Sequence, residues 1–466
     1  MKIKIKLLSR AETVLSTLLA LSLGLLYLLV QPRRLDSVTL ELPLVEEYVR
    51  ARDVHESQRP VVKHSAKFKS PLVLGAEYPL PEYTAFLNDA PDAKTLEEFD
   101  TFVSLKKRAV FEVKVASERY PMTYNPTIIA LPPTSHYPFL IVSRVRGDSF
   151  EQHSLICEAK YGEQLNGDGN LEPVLQCATH ARELVVPQTP AKDCKGKEFM
   201  SDVPGYHDPR VFWSARGAPM MIFNQQSRYG CFGLWMIDLR TVYPTLRYRV
   251  NRALLNQYST VTELTRHEGR RYVEKNYLVF YDAETDAEYV QFELGHNTRH
   301  FARLVGNGLT TRNLTLSLEQ SCIHLDATWH QATNAIKVVL CKYGECEPGP
   351  ENTVYISFLH RKEGIKGSLK VQYFRYLAMW RTVAPFQMVG FSSKPIRFDN
   401  EDEWEQKFDV EGKFLYTVSM AWETNQNRYE GYLNENVIVS LGVGDHGNAA
   451  VVVPAVELMG GMHKCT

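Results

Sequence analysis

The chain has 466 residues, with 53 Lys and Arg against 54 Asp and Glu, a net charge of −1 and a pI near 6.9. That balance excludes a broad electrostatic footprint for nucleic acid, and 44% apolar content excludes a wholly disordered chain. The 24 Tyr, 21 Phe and 6 Trp favour strands over helices and exclude a coiled coil.

Lys2, Lys4, Lys6 and Arg10 precede an uncharged apolar run at residues 14–30, and Arg33 and Arg34 follow it. The run sits at the short end of the roughly 17–25 residues that span a bilayer. Its flanking charges predict a cytoplasmic tail over 1–12, a transmembrane signal anchor over 13–30 and a luminal body, a single-pass type II arrangement. A cleaved signal peptide is the competing reading. Small residues are missing at the end of the run, however, where Leu28, Leu29, Val30, Gln31 and Pro32 stand. So short a span suits the thinner membrane of the endoplasmic reticulum or Golgi. Residues 31–105 are polar, with scattered Pro and charge, and read as a luminal stem. An N-terminal subdomain over residues 60–105 is the alternative.

Beyond residue 105 short β-branched and aromatic runs recur between Gly, Pro, Asn and Asp turns. They fall at 127–131, 138–144, 210–213, 219–224, 277–282, 288–294, 353–361 and 436–445. Several end in a polar residue, namely Arg144, Asn224, His360 or Asp445. The expected fold is all-β, and two architectures compete. A β-sandwich would place those polar ends in solvent. A five-bladed β-propeller over 106–466 would converge them on one funnel, and the spacing of the units favours it.

All eight cysteines lie beyond the anchor, an even number that permits disulfides in an oxidising lumen and fits no zinc pattern. Asn313-Leu314-Thr315 is a usable glycosylation sequon, whereas Pro126 blocks the one at Asn125.

HExxH, GxSxG and Walker patterns are missing, and so is the DxD pattern of many metal-dependent nucleotide-sugar transferases. No metal ligand set is assigned, and scattered metal ligands stay open. The GxGxxG match at 442–447 runs into another apolar strand, which a dinucleotide fingerprint does not. Three constellations remain. Asp208 stands between His207 and Pro209-Arg210 at a strand entry; the proline is expected to hold it extended, and its neighbours to set its ionisation. A strand cap with a surface ion pair is the plain alternative. Glu274-Lys275-Asn276 stands at a second strand entry, with the Asn suited to a sugar hydroxyl. His330, His360 and Arg361-Lys362 form the third, a candidate seat for phosphate or diphosphate.

The order Asp208-Pro209-Arg210, then 221–224, Glu274-Lys275-Asn276, 289–292, His360-Arg361, 385–386, 392–395 and the closing segment 430–445 resembles the fungal β-1,2-mannosyltransferases. It also resembles the five-bladed propeller family of inverting β-mannoside phosphorylases and hydrolases. The resemblance spans roughly residues 110–455 as short motifs in order. It implies that Asp208 is the proton-transfer residue, with His207 where those phosphorylases carry Glu. From it follows the expectation of an inverting transferase that moves mannose from GDP-mannose to a glycan acceptor. Asp208 is then the base. Arg210, Lys275 and Arg361 would face the donor phosphates, and Arg144, Asn224, Glu274, Asn276, His330, His360 and Asp445 would complete the substrate contacts. A propeller hydrolase or phosphorylase acting on β-mannosides, and a non-catalytic sugar-binding propeller, are the alternatives.

Overall fold

The computed structural model describes residues 103–465 except 146–150, 168, 190–193, 196–199, 202, 251–255, 295–297, 318–324, 366–369 and 410–413. The expected tail, the expected anchor at 13–30, the expected stem up to residue 102 and Cys322 lie outside the described residues. Among the described residues no helix is long and apolar enough to cross a membrane.

Five antiparallel four-stranded sheets follow one another along the chain. Blade one is Thr123–Ala130, Phe139–Val145, Ser154–Leu165 and Leu171–Cys177. Blade two is His207–Trp213, Pro219–Gln226, Phe232–Asp238 and Thr262–Leu264. Blade three is Leu278–Tyr281, Glu288–Leu294, Thr298–Gly306 and Leu314–Ser317. In blade four the inner strand is split into Trp329–Gln331 and Ile336–Val339. Both pair with Thr353–Gly364, which leads to Val371–Arg381 and Met388–Ser392. Blade five is Leu415–Trp422, Asn436–Val443 and Gly447–Pro454, completed by Phe111–Lys114 from the other end of the domain.

The packing explains the sequence pattern. Alternate side chains of a strand point to opposite faces, and here each face meets a different blade. Met221 and Phe223 join the core shared with blade one, whereas Met220 and Ile222 join that shared with blade three. Val279 and Tyr281 turn to blade two, and Leu278 and Phe280 to blade four. Val354 and Ile356 turn to blade five, and Tyr355 back to blade three. Strands buried on both faces read as continuous apolar runs instead of alternating ones.

Hydrogen bonds run from one inner strand to the next around the whole ring. Val211 N donates to Thr127 Oγ1 (2.9 Å), and Arg210 Nη2 to Asn276 Oδ1 (3.3 Å). Gln331 Nε2 donates to Asn276 O (2.7 Å), Asn334 Nδ2 to Met420 O (2.9 Å), and Ile128 N to Ser419 Oγ (3.4 Å), which returns to blade one. The arrangement is the propeller and not the sandwich. Disulfides join Cys157 to Cys177, Cys194 to Cys231 and Cys341 to Cys346, and Cys465 is also disulfide-bonded.

Candidate functional site

At one mouth of the ring the inner strands start with the same backbone device. Asn125, Asp208 and Asn276, at the entries of blades one, two and three, have φ of 52°, 49° and 55°. Asp445, in the turn between two strands of blade five, has φ of 57°. Asn and Asp tolerate this left-handed region better than other side-chain-bearing residues. In blades one and two the residue precedes a proline, and the ladder slips there, between Tyr124 and Thr127 and between His207 and Arg210. The extended geometry expected for Asp208 is therefore corrected: the proline disfavours the right-handed helical region, and the bulge takes the left-handed one. His207 packs edge-to-face on Phe232 (4.8 Å between centroids), while Asp208 lines the funnel.

The funnel is an open hollow of about 1120 Å³ whose lining includes Asn125, Arg144, Asp208, Arg210, Lys275, Asn276, His330, Lys362, Tyr373, Tyr416 and Asp445. Arg144 Nη1 donates to Asp208 Oδ1 at 2.5 Å, its Nη2 donates to Gln152, and its guanidinium lies 4.7 Å over the Tyr124 ring. Asn125 Nδ2 donates to Asp445 Oδ1 (2.7 Å). Burial alone would push the Asp208 carboxyl up, but Arg144, Lys275, His207 and Arg210 overcome it and hold the group at about 2. Burial lowers His330 to about 4, so its imidazole is neutral at pH 7. Behind it His360 is lowered further, first by burial and then by His330.

A second hollow of about 930 Å³ shares Lys275, Asn276 and His330 with the funnel and adds Arg271, Asp326, Trp329 and Gln331. The cleft thus runs on across blades three and four.

Of the residues singled out from sequence, the fold brings Arg144, Asp208, Arg210, Lys275, Asn276, His330 and Asp445 together in the funnel. Glu274 lines the second hollow and is paired with Arg266 (3.0 Å). Asn224 is buried, donating to Gly233 O (3.0 Å) and Glu274 O (2.9 Å), and His360 is fully buried. Arg361 forms an ion pair with Glu363 and lies over Phe374, outside the funnel lining. Asn313 is half-buried, with its amide donating to Glu268 O (3.1 Å). Sequence reasoning missed Asn125, Tyr373 and Tyr416 as lining residues, and left Lys362 in the shadow of Arg361. The signal for Asn125 was present: Asn125-Pro126 repeats Asp208-Pro209 at the neighbouring blade. Among the described residues no group of three or more His, Cys, Asp or Glu is placed to hold a metal ion.

No family model matches the chain, and the search of curated proteins returned no match. Solved structures similar to it include a putative glycoside hydrolase from Bacteroides ovatus, with 12% identity and a TM-score of 0.42 over 72% of this chain and 87% of that one. A β-1,2-mannobiose phosphorylase from Listeria innocua has 12% identity and a TM-score of 0.39, over 75% and 95% of the two chains. A mannose phosphorylase from Leishmania mexicana has 9% identity and a TM-score of 0.36, over 76% and 90%. The expectation of a glycosyltransferase is corrected here. The similar structures named here are a hydrolase and two phosphorylases, none of them a glycosyltransferase. The GDP-mannose donor expected from sequence finds no support in these similarities.

Proposed function

We propose that the chain is an inverting glycoside phosphorylase that cleaves a β-mannoside with inorganic phosphate. The observation that carries the reading is the charge of the funnel. Arg144, Arg210, Lys275 and Lys362 face Asp208 and Asp445, four cations against two carboxylates, with His330 neutral. Such a surplus suits an anionic co-substrate, and guanidinium groups suit phosphate in particular. Phosphate oxygen attacks the anomeric carbon from the face opposite the leaving sugar. The bond from that carbon to the glycosidic oxygen breaks, and the proton on Asp208 passes to the departing oxygen. The products are an α-sugar 1-phosphate and a shortened glycan; solvent then returns a proton to Asp208. That the sugar is mannose rests on the resemblance of the ordered motifs.

The test is release of sugar from a panel of β-mannosides by the full-length protein, with phosphate and with water alone. Turnover is expected with phosphate. Asp208→Asn should lower it about 10²–10⁴-fold, the usual cost of losing an acid–base group. Lys275→Met should raise the phosphate KM, and Arg361→Ala should leave it unchanged. Equal release with and without phosphate, or wild-type turnover in Asp208→Asn, would overturn the reading.

The same proposal places the propeller in the lumen of the secretory pathway, held by the anchor at 13–30 and the stem. Three disulfides and the charges around the apolar run support it.

A further inference from the structure

We propose that Arg144 is shared between Asp208 and the incoming anion, so that Asp208 takes up its proton only once phosphate fills the funnel. Phosphate is then both the nucleophile and the trigger, and cleavage by water is suppressed. The inference rests on the phosphorolysis reading and explains a difficulty within it. An acid must carry a proton, yet the empty funnel keeps Asp208 ionised.

The geometry supplies the exchange. One nitrogen of Arg144 holds Asp208 and another holds Gln152, while its Nε is buried without a partner. The side chain is 12% exposed and clamped over Tyr124, so it moves little and its charge is redistributed in place. Asp208 itself is 35% exposed and open to the hollow. Lys275 and Lys362, from blades three and four, make no ion pair in contact with a carboxylate among the described residues, and Lys275 acts on Asp208 through space.

Arg144, Lys275, His207 and Arg210 act directly on the charge of Asp208. His207 and Arg210 are on the same strand as Asp208, with Lys275 and Asn276 at the entry of blade three. His330, Lys362 and Tyr373 come from blade four, and Tyr416 and Asp445 from blade five. In the empty state the cations outweigh burial and keep the proton off. A bound dianion neutralises those cations and adds like charge beside the carboxylate, and both effects favour the protonated acid. The proton comes from solvent and leaves on the glycosidic oxygen. The sign follows: Asp208 binds its proton more tightly with the anion present, so the anion binds more tightly with Asp208 protonated. Affinity is therefore lost as pH rises through the bound-state value.

Sulfate is the probe, because it keeps both charges across the working range. Its binding to the full-length protein is measured by calorimetry from about pH 4 to pH 8, in buffers of different ionisation heat. Wild type is expected to take up about one proton per sulfate at the lower end, with affinity falling up to about tenfold per pH unit. Asp208→Asn should bind sulfate without that uptake, and Arg144→Gln should shrink it. Lys275→Met, an exposed substitution that spares the fold, should weaken binding and keep the slope. Sulfate binding without pH dependence would overturn the sharing and leave phosphorolysis standing. Loss of the slope in His330→Gln, with Asp208→Asn still showing it, would move the proton to the imidazole and overturn it too. Failure of both sulfate and phosphate to bind would overturn the phosphorolysis reading itself, and the sharing with it.

Discussion

Asn125, Asp208, Asn276 and Asp445 all hold positive φ at one mouth of the ring, and the hydrogen bond from Asn125 to Asp445 ties blade one to blade five there. Gly442 is what makes room for that tie. A Cβ at residue 442 would lie 1.6 Å from Asn125 Oδ1 and 3.3 Å from its Cα. Gly442→Ala must therefore push the amide off Asp445. The expected result is a stability loss of about 1–3 kcal/mol, typical of overpacking, together with a fall in turnover. Denaturant midpoints and steady-state kinetics check both, and an unshifted midpoint would show that the amide has somewhere else to go. Part of the charged lining was legible in the sequence: motif order singled out Asp208, Arg210 and Lys275, and a polar strand end singled out Arg144. The parity of the neighbours was not. Arg361 and Lys362 are adjacent in one strand, so they face opposite ways, and only the register decides which one meets the funnel. Asn125 escaped notice because its proline was weighed only as a block to glycosylation, not as a backbone device.

The strands were the most legible elements. Runs expected at 288–294 and 353–361 match Glu288–Leu294 and the start of Thr353–Gly364. The split inner strand of blade four was not legible, since Trp329–Gln331 and Ile336–Val339 are too short to show a period. The helix Glu401–Lys407 also went unread, being only seven residues long. It presents three acidic residues in its first turn and carries a pH-sensitive group. Burial lifts Glu405 from its ordinary 4.5 to about 7, with Arg397 opposing and Glu401 and Asp402 adding to the rise. The folded state thus holds a proton that the unfolded chain releases at lower pH. This contribution is full below about pH 4.5 and is lost as pH rises through 7, up to about 3 kcal/mol in all. Glu405→Gln should flatten the pH dependence of the urea midpoint between about pH 5 and pH 8. A variant as pH-sensitive as wild type would assign the effect elsewhere.

For the whole molecule, the proposed topology makes a plain prediction. Protease added outside sealed vesicles should spare the propeller, and detergent should expose it. A mature N-terminus near residue 31 would instead show that the apolar run is removed. The ring itself was expected from recurring strands, but its closure was not legible, because the strand that completes blade five is four residues long and lies far from it in sequence. Phe111–Lys114 pairs antiparallel with Gly447–Pro454, Phe111 opposite Ala450, and parallel with blade one, Glu112 opposite Val174. Ribosomal synthesis gives this arrangement a timetable. The partner at residue 174 leaves the ribosome soon after the strand does, but Ala450 follows it by well over three hundred residues, about 20–70 s at ordinary elongation rates. Throughout that interval one edge of the strand is covered by blade one and the other is open, and an open edge is what a neighbouring nascent chain can pair with. On a crowded polysome, the last hairpin to be made is also the one that takes this edge out of competition.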